Sequence, residues 1–269
     1  MLVDLRDKCG LGLKLDTEKP EIIFDGDLKA SPPAIRTMDQ MQDVLLDKDI
    51  KEPSELYFMY RDIYDLSDKS ILEKHKLRYD VTMIKPLSLG REFMKTAGHY
   101  HPENFGELYE VVSGRCFCLL QRFHPAEFRI IEEVILVEAI SGQKILIPPG
   151  FGHILINPGP DYLVTSNWVS SVFSSQYELY KRGGGAAYFV IASGETLDLT
   201  PSMKVGAKFI INKHFKQVAD ISFVRPAKRI ERFGLAEGKP MYNLIKEVPR
   251  ALDFLNHPLD YEYKDVFVR

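Results

Sequence analysis

Between Leu56 and about Ser174 the chain breaks into short apolar or alternating runs: ELYFMYRDIY, RYDVTMIKPL, ELYEVVSG, FCLLQRF, RIIEEVILVEAI and KILIPPG. Glycine, proline and polar turns separate them. Runs of this length and period suit strands with one face buried, not helices, which need longer stretches of 3.6-residue periodicity. The chain therefore reads as an all-β core, a β-sandwich or jelly-roll barrel, spanning 56–203.

Two flanks surround that core. Residues 1–55 read as an amino-terminal arm. Within it SPPAIRTMDQMQDVLL predicts an amphipathic helix, with Ser31 as cap, prolines just inside its start and apolar residues following. After the core motifs, GGGAAYFVIASGETLDLTP predicts a glycine-rich connection and a hairpin turning at Ser193 to Glu195. Residues 204–269 form a carboxy-terminal extension whose apolar content requires burial, on the barrel or on a second subunit. No internal repeat of solenoid or propeller length stands out.

A formal net charge of -3 gives no basic excess with which to neutralise a nucleic-acid backbone, so that class is set aside. The first residues, MLVDLRDKCGLGLKLD, carry charges where a signal peptide needs an apolar stretch, and no apolar run approaches membrane-span length. The expectation is a cytoplasmic protein with neither nucleic acid nor membrane as partner. Cys9, Cys116 and Cys118 are too few and too oddly spaced for a disulfide framework and read as reduced, buried thiols.

The chemistry concentrates in GHYHPENFGELYEVVSG and GQKILIPPGFGHILIN. His99 and His101, two residues apart, project from one face if extended. Glu107 follows after a short turn, and Gly114 closes the segment. In the second stretch Gly142 opens a strand that reaches Pro148 and Gly150 before His153 and Asn157. A single histidine in a strand is ordinarily a core or surface residue. Three histidines and a carboxylate at these joint spacings point to a metal, with neutral imidazoles and one carboxylate suited to a divalent first-row ion. Iron is the first expectation, with Mn, Ni or Zn as alternatives. Glu103 is the fallback carboxylate ligand, and Glu110 has the wrong strand parity.

These segments match the two motifs of the cupin superfamily, with Phe93 in place of the leading glycine of the first. Through GREFMKTAGHYHP, the Glu-x-Tyr of GELYEV and PPGFGH, the chain resembles the cupin-type phosphoglucose isomerases over roughly residues 8 to 203. The resemblance implies interconversion of glucose 6-phosphate and fructose 6-phosphate in a homodimer. It implies that Thr82, Thr96 and Gly98 hold the sugar phosphate, with Lys95 adding a charge. Tyr57, or Tyr60 if the register slips, would contact substrate.

Tyr109 shares a face with Glu107 and matches the family's active-site tyrosine. The chain departs from the pattern at YLVTSNWVSSVFSSQYELY. Many relatives there have a tyrosine and a Gly-His-Asp-Tyr-like segment, whereas this chain has Trp168 near the tyrosine position and Ser175 or Gln176 near the histidine position.

The implied reaction has Glu107 as base, passing a proton between C2 and C1 through an enediol, with Tyr109 assisting. A metal-assisted hydride shift is the alternative. Two rivals share the same ligands: a cupin oxygenase or oxidase, which would consume oxygen, and a non-catalytic sugar-phosphate-binding cupin, which would bind without turnover.

Overall fold

The computed structural model describes residues 1–102, 105–198 and 204–269. Two large sheets face one another. The first runs in the order Lys144–Ile147, Glu107–Ser113, Leu163–Ser170, Leu77–Ile84, Glu55–Tyr60 and Ala34–Thr37. The second is ten-stranded, its main path running Lys204–Ile211, Tyr188–Asp198, Glu92–Lys95, Gly152–Asn157, Arg115–His124, Glu127–Ile140, Ile221–Pro226 and Phe267–Val268.

Strand alternation divides the apolar residues between two cores. Inward-facing Tyr57, Ile84, Tyr109, Val111, Ile145 and Ile147 of the six-stranded sheet join Cys116, Cys118, Leu120 and Leu155 between the sheets. Their neighbours Tyr79, Val81, Met83, Leu108, Val164 and Trp168 point outward, and they too are buried. What covers them are the two ends of the chain. Leu5, Leu11, Leu13 and Leu15 pack there from the amino terminus, and Phe233, Tyr242, Leu244 and Phe254 from the carboxy terminus.

The expected helix in SPPAIRTMDQMQDVLL does not form, and Ser31 caps nothing. Ala34–Thr37 is instead an edge strand, Ile35 paired with Phe58, and one 3-10 turn covers Gln42–Val44. Pro32 and Pro33 bias the entering backbone toward extended geometry, an edge strand tolerates them, and β-branched Ile35 and Thr37 suit a sheet. Met38, Met41, Val44 and Leu45 are buried as a loop wrapped over the core, so their apolar spacing records burial without helical periodicity.

The hairpin turn expected at Ser193 to Glu195 is also corrected. The Tyr188–Asp198 strand runs through those residues, with a register irregularity between Ala192 and Leu197, and pairs antiparallel with Lys204–Ile211; residues 199–203 lie outside the described residues. Extension strands thus belong to the main sheet: Ile221–Pro226 lies parallel to Glu127–Ile140, Val134 opposite Ile221. Among the described residues no helix is long and apolar enough to cross a membrane.

The glycines at the two predicted strand reversals have left-handed backbones, Gly114 at φ 86° and Gly142 at φ 89°. Asn157 ends its strand by donating to the carbonyls of Ile84, Lys85 and Asp161 at 2.9–3.3 Å. All three cysteines are free and buried, and burial pushes the Cys9 and Cys116 thiols up to about 12.

Candidate metal centre

His99 and His101 do not lie on a regular strand. The strand Glu92–Lys95 has ended, and the chain is held by isolated bridges, His99 to His153 and Tyr100 to Gln176. The first bridge is reciprocal: His99 N–H donates to the His153 carbonyl at 3.2 Å and His153 N–H to the His99 carbonyl at 3.0 Å. Two imidazoles from separate segments are thereby set side by side through backbone bonds. Gly98 is needed immediately before them, because its backbone sits at φ +80° and a Cβ there would lie 2.4 Å from Ile154 and 2.6 Å from the Tyr180 ring.

Glu107 reaches the same point from the facing sheet. One ligand atom from each of His99, His101, Glu107 and His153 lies within 4.8 Å of the others. His99 Nε2 is 3.1 Å from His101 Nε2, and Glu107 Oε2 is 3.2 Å from His101 Nε2 and 3.1 Å from His153 Nε2. Yet Glu107 Oε2 is buried and accepts no hydrogen bond. An orphaned buried carboxylate oxygen, ringed by three ring nitrogens, is the arrangement a divalent cation would satisfy.

The protonation states suit the same end. Burial, reinforced by the neighbouring His153 and His101, holds the His99 pKa well below its ordinary value, and burial lowers that of His153 against the pull of Glu107. Neutral rings keep lone pairs for a metal. Burial pushes the Glu107 carboxyl upward, but the facing His101 and His153 outweigh it and hold it well below the usual carboxylate range. His101 Nδ1 lies 3.2 Å from the Phe105 carbonyl, a contact that orients Nε2 toward the cluster.

The surrounding cavity collects most of the other sequence-predicted residues. Tyr57, Thr82, Thr96, Gly98 and Tyr109 all line it beside His99, Glu107 and His153. Tyr109 Oη is 3.3 Å from His153 Nε2, and burial together with Glu107 keeps its phenol protonated. Tyr57 Oη accepts from Arg36 Nε at 3.1 Å and from Ala97 N–H at 3.2 Å, while Thr96 Oγ1 accepts from Leu155 N–H at 3.0 Å. Tyr60 faces the other way and accepts from Ile22 N–H. Glu110 also faces away, bonded to Lys144 at 2.8 Å, and Glu103 lies outside the described residues.

One expectation is corrected. Lys95 adds no charge to the cavity, because its ammonium is buried against Glu92 and the Val44 carbonyl. Trp168 does not enter it either. Asn167, opposite Tyr109, points inward, so by strand parity Trp168 points outward, where it packs on Tyr79 and Tyr242 and donates to the Met241 carbonyl at 3.0 Å.

Asn167, Tyr177, Arg61, Arg78 and Asp80 are cavity groups that the sequence motifs did not single out. Asn167 Nδ2 donates to Glu107 Oε1 at 2.6 Å. Near the position of the missing histidine, Ser175 lines the cavity, Gln176 spends its backbone on Tyr100, and the Tyr177 ring sits 5.4 Å from that of His99. Arg61, Arg78 and Asp80 complete the wall. Arg78, Asp80 and Thr82 alternate along one strand whose other positions are apolar or aromatic, a polar stripe that strand parity could have flagged.

A family model described as glucose-6-phosphate isomerase matches residues 36–202. A glucose-6-phosphate isomerase of Thermococcus litoralis is 24% identical over 154 residues, covering 55% of this chain and 72% of the relative. One of Thermococcus onnurineus is 22% identical over 166 residues, covering 57% and 75%. Among solved structures, hazelnut vicilin overlaps with a TM-score of 0.36 at 13% identity, over 64% of this chain and 39% of vicilin. An oxalate oxidase overlaps with a TM-score of 0.29 at 17% identity, over 38% of this chain and 43% of its own. Because the family model takes in more than half of the 269 residues, including all four clustered side chains, the chain belongs to the cupin-type glucose-6-phosphate isomerase family.

Proposed function

We propose that this protein is a metal-dependent aldose–ketose isomerase interconverting glucose 6-phosphate and fructose 6-phosphate. The observation that carries the reading is the convergence of His99, His101, Glu107 and His153 in a cavity also lined by Tyr109 and Thr82. Those four side chains hold one divalent transition metal, iron first, with Mn, Ni or Zn as alternatives. When bound, the metal supplies Lewis acidity toward the substrate's carbonyl and hydroxyl oxygens.

The remaining work falls to the chain's own groups. Glu107, ionised at neutral pH, takes the proton from C2 of the open-chain aldose and returns it to C1, passing through an enediol as the proton of the O2 hydroxyl moves to O1. Tyr109 keeps its proton and donates a hydrogen bond to the substrate oxygen where charge develops. Thr82, Thr96 and Gly98 receive the phosphate with hydroxyls and backbone, and Tyr57 packs against the sugar. A hydride shift between C1 and C2 uses the same cavity. Retention of a C2 deuterium in product formed in water favours it over the enediol.

The test is a coupled assay of fructose 6-phosphate conversion, using chelator-stripped protein reloaded separately with Fe, Mn, Ni and Zn, with His153→Ala as control. Metal-dependent turnover absent from the control supports the assignment. A metal-loaded but inactive protein overturns it, and oxygen uptake with the same substrates would move the protein to the oxygenase class. The family resemblance further suggests a cytoplasmic homodimer, which sedimentation of the full chain checks.

A further inference from the structure

One end of the cavity wall opposite the histidines carries two guanidiniums around a single carboxylate. Asp80 is gripped by two guanidiniums: Arg61 Nη1 donates to Oδ2 at 3.0 Å, and Arg78 Nε lies 3.0 Å from Oδ1 and 3.1 Å from Oδ2. The Asp62 N–H adds a fourth contact at 2.9 Å. The carboxylate is at the bottom, its side chain 3% exposed, whereas those of Arg61 and Arg78 are 41% and 25% exposed. Glu107 balances the charge of the wall as a whole, but at the Asp80 end two cations meet one anion, with guanidinium donors facing the opening.

The direction of Arg61 matters most. Its Nη2 lies 3.3 Å from the Met59 sulfur, so the side chain leans back along its own strand. Met59 is the backbone partner of Thr82 on the adjacent strand. Arg61 and Thr82 line the same cavity, and Asp80, which Arg61 grips, lies two residues from Thr82 on the same face of their strand. The opposite neighbour of Asp80 is Asn167, bonded to Glu107, so this charged fork also lies within about two strand spacings of the reacting carboxylate.

We propose that Arg61, oriented by Asp80 and backed by Arg78, is the charged anchor for the substrate's phosphate beside Thr82, and so makes the site select phosphorylated over unphosphorylated sugars. The proposal rests on the isomerase reading for the identity of the sugar, but the anion subsite stands on geometry alone. An open-chain hexose 6-phosphate carries its phosphate at the opposite end from C1 and C2. A subsite displaced from Glu107 along the same wall fits that shape. Arg61, whose position is locked by Asp80, loses little freedom on binding, and its planar fork offers paired donors to phosphate oxygens.

The test measures binding of sorbitol 6-phosphate and of inorganic phosphate by calorimetry, because neither can be isomerised and the result does not depend on turnover. Arg61→Gln in metal-loaded full-length protein is expected to weaken sorbitol 6-phosphate about ten- to a hundredfold, with metal content and melting temperature unchanged. Arg61→Lys, which keeps the charge and protects against a folding failure, should lose only several-fold. Equal affinity in parent and Arg61→Gln overturns the anchor, as does a parent that binds neither probe. Arginine-dependent binding without conversion of glucose 6-phosphate keeps the subsite and overturns the isomerase reading. Normal turnover with unchanged KM in Arg61→Gln does the reverse.

Discussion

Asn167 donates its carboxamide to Glu107 Oε1 at 2.6 Å, leaving Oε2 as the oxygen that faces the three histidines. The two residues sit on adjacent antiparallel strands, and both are nearly fully buried. One carboxylate oxygen is thus occupied by the protein and the other is presented. Asn167→Leu keeps the approximate volume but removes the donor. It is expected to lower metal affinity about ten- to a hundredfold, as loss of an outer hydrogen bond to a ligand typically does, measured by competition with a chromogenic chelator. An unchanged affinity would remove Asn167 from the site's machinery.

The depressed pKa values of His99 and His153 set the acid stability of the metal-free protein. Their ordinary value is 6.5, and burial lowers both in the fold. As pH falls below 6.5 the unfolded chain takes up protons that the folded chain refuses, so stability falls with pH until the folded values are reached. Glu107, also depressed, adds a further loss as pH drops below 4.5. The melting temperature of stripped protein should therefore decline between about pH 7 and pH 5, and His99→Gln should flatten the curve. Parallel profiles for the two proteins would contradict this.

Tyr177 stands beside His99 with the Arg36 guanidinium 5.3 Å from its ring centre. Its aromatic face confines the His99 ring, so Tyr177→Phe should stay within about threefold of parental kcat/KM, while Tyr177→Ala loses about tenfold or more. If the phenylalanine variant falls as far as alanine, the hydroxyl itself contacts the substrate.

The carboxy-terminal extension is built into the core. Tyr242 packs on Tyr79 and Trp168 with ring centres 5.1 Å and 5.5 Å away, and its hydroxyl bonds Asp68 at 2.9 Å. Tyr242→Ala is expected to cost about 3–5 kcal/mol, seen as a shifted denaturation midpoint. A shift below about 1 kcal/mol would mean that the extension covers the sheet without stabilising it.

Short-range pattern carried much of this structure. Strand-length apolar runs announced a two-sheet fold, and Gly114 and Gly142 marked reversals because a left-handed backbone favours glycine. The parity of neighbouring positions separated Glu107 and Tyr109, which face the cavity, from Glu110, which pairs with Lys144 on the other side. Which of Asn167 and Trp168 faces the cavity needed the register of Leu163–Ser170 against Glu107–Ser113, which no single strand contains.

What the amino-acid order determined by itself was the period of each segment and the donor types in two motifs, since both depend on residues close in sequence. Tertiary structure alone decided that Ala34–Thr37 would be an edge strand, that Arg61 would grip Asp80, and that Asn167 would meet Glu107. Each of those depends on a partner brought near by sheet pairing, and pairing is settled by burial summed over the whole chain.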